Sequence, residues 1–125
     1  MIRESFEALV ARAVDDLPEE FAVRLDNVAI LVEDRASKGQ RSASRLDEEN
    51  TDLLGLYEGV PLTERGHSYS MVLPDRITIF QRPIEAACRN DAEIVTLIRQ
   101  VVLHEIAHHF GISDARLEEL EGEDS

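Results

Sequence analysis

Three of the chain's four histidines lie within the stretch VVLHEIAHHFGISD, residues 101–114. In a helix, which turns by about 100° per residue, His104 and His108 lie only about 40° apart on one edge. Two imidazoles one turn apart can bind the same metal ion. The carboxylate of Glu105 then lies beside the ion, where it can touch an activated water without being a ligand. The stretch therefore predicts a metal-assisted hydrolytic centre.

A catalytic zinc site typically takes three protein ligands and keeps the fourth position for water or substrate, so a third ligand is needed. Gly111 falls where the helix should end, and glycine can adopt the positive-φ conformation that turns a chain sharply. That turn brings Asp114 back toward the histidines, and a carboxylate oxygen is an acceptable zinc ligand. We therefore predict a Zn²⁺ site made of His104, His108 and Asp114. The competing carboxylates are Glu118, Glu119 and Glu121.

We predict structural roles for two other residues whose side chains could bind a metal, His109 and Cys88. His109 points about 100° away from His108 on a helix, so we predict a packed or partly exposed histidine rather than a ligand. Cys88 is the only cysteine. We expect it to be a small buried residue, and the absence of an intrachain disulfide agrees with a reducing compartment.

Composition limits the classes of partner. The chain has 125 residues and a formal net charge of −13, which fits a single domain, 1–125, whose acidic surface repels phosphate backbones. The longest strictly apolar run is VAILV, far shorter than a membrane-spanning helix requires. We expect a cytoplasmic monomer that binds neither nucleic acid nor membrane.

The pattern of apolar residues predicts an α+β domain. A helix over residues 2–17 should end before Pro18 and bury one stripe, and strands are predicted at 27–34, 53–59 and 75–82. The polar segment 35–52 is predicted to be a long loop. A long helix should begin near Asn90, because Glu93 follows in the pattern of a capping box. The predicted stripe of the first helix is Phe6, Leu9, Val10, Ala13 and Leu17.

The motif HEIAHHFGISD, together with LLGLYEGVPLTERG and LPDRITIFQRPIE, resembles the small bacterial zincin-like metallopeptidases, a family described as having a matrix-metalloprotease-like domain. The resemblance covers roughly residues 6–120. It implies a minimal zincin-like fold, in which a small mixed sheet packs on an N-terminal helix and on a central helix that carries His-Glu-x-x-His. It also implies zinc at His104, His108 and Asp114, with Glu105 as the catalytic carboxylate.

The chain departs from larger enzymes of the metzincin group in two ways. Those enzymes usually have histidine as the third ligand and a methionine turn beneath the metal. Here the third position is Asp114, and the only methionines, Met1 and Met71, precede the motif. We expect the floor of the site to come from other residues and the anionic ligand to make turnover slower.

The leading functional hypothesis is a zinc-dependent endopeptidase acting on peptides or unfolded polypeptides, with Glu105 as general base for a zinc-activated water. Residues 75–82 are predicted to pair with an extended substrate. One alternative is a zinc-binding protein with little or no peptidase activity that acts through a partner. Another is a metal-dependent ribonuclease, which the net charge disfavours. Candidate oxyanion donors are His67, Tyr57 and Tyr69.

Overall fold

The computed structural model describes residues 1–43, 53–59 and 74–111. None of the helices in these ranges is long and apolar enough to cross a bilayer. The helices are α1 (Arg3–Asp15), α2 (Glu19–Ala22), α3 (Lys38–Ala43), α4 (Gln81–Ala87) and α5 (Asp91–Phe110), and a 3₁₀ turn spans Val23–Leu25. The strands are β1 (Val28–Glu33), β2 (Gly55–Glu58) and β3 (Asp75–Phe80). The predicted α+β class is confirmed.

The three described strands form one mixed sheet in the order β1-β3-β2. β1 runs parallel to β3, whereas β2 is antiparallel to β3, and Ile77 is the register partner of both Ile30 and Tyr57. The prediction that residues 75–82 offer a free edge to substrate is wrong, because β3 is the middle strand and is paired on both sides. β1 and β2 are the two outer strands of the described sheet, and β2 is the one that α5 contacts through Glu105.

The core lies between the sheet and the two longer helices. All members of the predicted stripe are buried and pack in one cluster with the inner face of α5, but α1 ends at Asp15, so Leu17 lies beyond the helix. From β3, Ile77 and Ile79 are fully buried in the same cluster, whereas Cys88, which we expected to be buried, is only partly covered at its margin. α5 is therefore fixed along most of its length by apolar contacts. Its buried residues are Ile94, Val95, Ile98, Val102, Leu103, Ile106 and Ala107.

Both ends of α5 match the sequence prediction. The side chain of Asn90 accepts a hydrogen bond from the Glu93 amide at 2.9 Å, and the Glu93 carboxylate accepts one from the Arg89 amide, also at 2.9 Å. The reciprocal bond of the capping box thus goes to the residue before the cap. At the other end Gly111 has φ 70°, the left-handed conformation expected from its position.

Two helices differ from the sequence prediction. α3 lies inside the segment predicted to be loop, and the sequence SKGQ explains it: Ser37 Oγ accepts from the Gln40 amide at 3.1 Å, while Gln40 Oε1 accepts from the Ser37 amide at 2.9 Å. Residues 44–52 of that segment lie outside the described residues. α4 begins where β3 is predicted to continue. Pro83 is tolerated because it occupies the first helical turn, where an amide hydrogen has no intrahelical partner.

Candidate active site

Helix α5 presents the predicted histidine pair on its exposed edge. His104 and His108 are both exposed, whereas Leu103, Ile106 and Ala107 beside them in the sequence are buried. The two imidazole rings are neighbours, with centroids 6.3 Å apart and planes inclined at 62°. The shared edge predicted from the four-residue spacing is therefore present, and both rings can be reached from solvent.

Glu105 lies between the pair and β2, an outer strand of the described sheet. Its Oε1 accepts a hydrogen bond of 2.8 Å from the backbone amide of Tyr57 in β2. Burial raises the pKa of this carboxyl, and the Tyr57 amide together with the positive charge of protonated His108 and His104 only partly offsets that effect. Because the carboxylate is half-buried and held on one side, it is a suitable group for accepting and returning a proton.

His109 faces β2 rather than joining the pair, which confirms the prediction that it is packed and partly exposed. Its ring stacks on Tyr57 with a centroid separation of 3.9 Å and an interplanar angle of 18°. Its Nε2 lies 3.8 Å from an Asp75 carboxylate oxygen, and 38% of the side chain is exposed. His109 therefore belongs to the contact between helix and sheet.

A groove runs between β2 and α5 on both sides of Glu105. At Gly55 the two elements approach so closely that an added Cβ would lie 2.5 Å from Cγ1 of Val101. A cavity of about 380 Å³ opens toward His108 and one of about 280 Å³ opens past His104, and Glu105 lines both. Apart from these site residues the lining is largely apolar. The shared and flanking residues include Leu53, Leu54, Leu56, Leu97, Gln100 and Val101.

A family model described as zincin-like metallopeptidase matches residues 25–123. The chain belongs to this zincin-like metallopeptidase family. No curated protein is significantly similar to it in sequence. Among solved structures, a conserved hypothetical protein from Thermus thermophilus is 20% identical, and the match covers 88% of this chain and 94% of that chain with a TM-score of 0.55. At 20% identity the likeness to this solved structure supports the fold alone.

The donor set of this zincin-like chain fits a zinc ion in part. Two exposed imidazoles on one helix edge supply nitrogen ligands of the type zinc prefers. In the described ranges no group of three His, Cys, Asp or Glu side chains is arranged to hold a metal ion. Asp114 lies outside those ranges, as do the competing carboxylates Glu118, Glu119 and Glu121. The third ligand therefore stays a prediction.

The oxyanion donor also stays a prediction. His67 and Tyr69 lie outside the described residues. The hydroxyl of Tyr57 donates to Asp75 Oδ2 at 2.8 Å, so its proton is engaged by that carboxylate. The sequence suggests Tyr57 as a hydroxyl donor, but nothing in it indicates that the backbone amide of Tyr57 holds Glu105. The contact joins residues 48 positions apart, and no local spacing indicates it.

Proposed function

We propose that the protein is a zinc-dependent endopeptidase, with the metal held by His104, His108 and Asp114 and with Glu105 as general base. The observation that supports this most directly is the placement of the Glu105 carboxylate. It is half-buried, it is bound to the Tyr57 amide at 2.8 Å, and it lines a groove that opens toward His108 on one side and His104 on the other. A structural zinc site has no use for such a group, because structural sites are usually closed by four ligands and rich in cysteine.

The chain's own residues have separate roles in the proposed reaction. Glu105 accepts the proton of the attacking water and later delivers it to the leaving amine. The ligands His104, His108 and Asp114 would hold a zinc ion, whose Lewis acidity would polarise the scissile carbonyl and acidify the water. The Tyr57 amide holds Oε1, so that the carboxylate keeps one orientation in the groove.

The groove suggests how substrate binds. β2 is an outer strand of the described sheet and borders both cavities, so we propose that an extended peptide lies along β2 rather than along β3. The apolar lining favours aliphatic side chains next to the scissile bond. We propose peptides or unfolded segments as substrates, cleaved by a cytoplasmic monomer that binds neither nucleic acid nor membrane.

The test is mass-spectrometric profiling of a diverse peptide library, with acetylated and amidated termini, incubated with the zinc-loaded protein. Glu105→Gln is run in parallel and should lower the cleavage rate by about 10²- to 10⁴-fold while zinc content stays the same, since only the general base is lost. The matched control is Glu7→Gln, which removes the same charge from an exposed position on α1 and should leave cleavage unchanged.

Each outcome separates the competing hypotheses. Cleavage by the wild type and by Glu7→Gln but not by Glu105→Gln supports the peptidase, and cleavage of blocked peptides supports the endopeptidase type. If the wild type binds zinc and cleaves nothing, the peptidase proposal is wrong and the alternative of a zinc-binding protein that acts through a partner is favoured. Equal cleavage by the wild type and both variants would exclude Glu105 as the base.

A further inference from the structure

Three side chains from different elements meet where α5 ends. Tyr57 comes from β2, Asp75 begins β3, and His109 lies in the last turn of α5. The Tyr57 hydroxyl donates to Asp75 Oδ2 at 2.8 Å, and the same oxygen lies 3.8 Å from His109 Nε2. The tyrosine and histidine rings stack with centroids 3.9 Å apart. We call these three residues the aromatic brace.

The chemistry of the brace differs from that of the core. A core contact between helix and sheet needs only aliphatic side chains, which α5 uses along the rest of its buried face. Here a polar tyrosine and a partly exposed histidine stack nearly face to face, at 18°, and a hydrogen bond to Asp75 fixes the direction of the tyrosine ring. Phe110 packs edge-on against both rings, at 87° to Tyr57 and 84° to His109. Such ring contacts constrain the orientation of the last turn of α5 relative to β2 as well as the distance between them.

The position of the brace links it to the proposed chemistry. His109 directly follows His108, so the ring stack fixes the helical turn that carries this histidine. The backbone of Tyr57 holds the carboxylate of Glu105. One residue of β2 therefore controls the placement of two groups of the site. The brace also directs the imidazole of His109 toward Asp75, which keeps it from competing with His108 for a metal.

We infer that Tyr57, Asp75 and His109 act as positioning residues that pre-orient the last turn of α5, and with it His108 and Glu105, for metal binding. This inference rests on the proposed zinc site. Outer contacts that orient ligands typically change metal affinity by about 10- to 100-fold when they are removed. The brace should therefore affect zinc affinity more than it affects folding.

The first experiment measures the zinc Kd of the full chain by competition with a chromophoric chelator. Tyr57→Phe removes one oxygen and keeps the ring stack and the backbone amide, whereas Asp75→Asn keeps the shape and removes the charge. Both should raise the zinc Kd by about 10-fold. The control is Ile79→Val, a truncation in the buried core of β3 that lowers the thermal unfolding midpoint but leaves the brace intact. It should leave the zinc Kd unchanged.

The second experiment does not require metal. Amide hydrogen exchange of the metal-free chain should become faster at residues 107–110 in Tyr57→Phe, while exchange at residues 94–98 stays the same. The d–d absorption of the cobalt(II) form gives a third measurement, because a ligand with altered orientation changes the band positions. Ile79→Val should shift neither the local exchange nor the cobalt spectrum.

The outcomes distinguish this inference from the proposed function. If the wild type binds zinc and the brace variants bind it equally well, with unchanged exchange and cobalt spectra, the positioning role is wrong and the zinc site stands. The role is also wrong if the zinc affinity of the brace variants falls only in proportion to their unfolded fraction, because loss of folded protein would then account for the whole change. If the wild type binds no zinc, the zinc site and the positioning role both fail. Should Asp75→Asn not fold, Tyr57→Phe alone decides.

Discussion

Helix α5 is held by local contacts at its beginning and by long-range contacts at its end. At the beginning, Asn90 and Glu93 bond to backbone amides no more than four residues away. At the end, Glu105 and His109 contact Tyr57, and the Glu105 contact spans 48 residues of sequence. The local contacts make the helix start at the right residue. The long-range contacts determine where its polar edge lies relative to β2, and the proposed chemistry depends on that placement.

The largest expected effect concerns Asp114, the proposed third zinc ligand. Asp114→Ala should raise the zinc Kd by more than about 100-fold, since losing a ligand costs more than losing an outer contact. The measurement is zinc competition with a chelator, and the control is Glu118→Ala, which removes a competing carboxylate and should leave the Kd unchanged.

A reversed result would identify a different ligand. If Glu118→Ala releases zinc and Asp114→Ala does not, then the turn at Gly111 brings the chain back later than the spacing predicts. The end of α5 would still be set by long-range contacts, but the ligand set would be wrong.

The next effect concerns the close approach of β2 and α5. Gly55→Ala should lower the free energy of unfolding by about 1–3 kcal/mol, because its Cβ would lie 2.5 Å from Val101 Cγ1 and the two elements must move apart. The check is denaturant unfolding of the single variants Gly55→Ala and Val101→Ala and of the double variant.

The double-mutant cycle should be non-additive, with Val101→Ala recovering part of the loss caused by the new methyl group. Additive costs would contradict the packing of Gly55 against α5. Separation of β2 from α5 also moves the Tyr57 amide away from Glu105, so the proposed peptidase activity should fall along with stability.

The smallest effect belongs to the beginning of the helix. Asn90→Ala should lower the free energy of unfolding by about 1 kcal/mol, because the Glu93 amide loses its acceptor. Asn90→Ser keeps an acceptor and should retain most of the stability. Neither variant should change the zinc Kd in the folded state. A large loss of zinc affinity in Asn90→Ala would show that the two ends of α5 are coupled.

Much of the fold follows from local patterns. The apolar stripe that starts at Phe6 predicts the buried face of α1, and the β-branched run within residues 27–34 predicts β1, which spans Val28–Glu33. Asn90 and Gly111 predict the two ends of α5 within a residue. The edge shared by His104 and His108 follows from their spacing alone. These features are local because each depends on backbone geometry and on side chains one turn or one pleat away.

The differences between prediction and structure have physical reasons as well. The capping box at Ser37 and Gln40 has no apolar period behind it, so the sequence pattern indicates a loop where α3 forms. The pattern also extends β3 to Arg82, but α4 begins at Gln81, whose buried side chain bonds to the Met1 carbonyl and to Glu85. The order of strands is not predicted either, because pairing partners depend on segments far apart in sequence.

The sequence by itself determined the helix, its caps and the identity of the residues on its exposed edge, because a spacing of four residues fixes direction within one helix. Only the tertiary structure decided that β2 and not β3 borders the groove, that the Tyr57 amide holds Glu105, and that His109 stacks on Tyr57. These contacts join residues that the chain keeps apart and that only the packing of sheet on helix brings together.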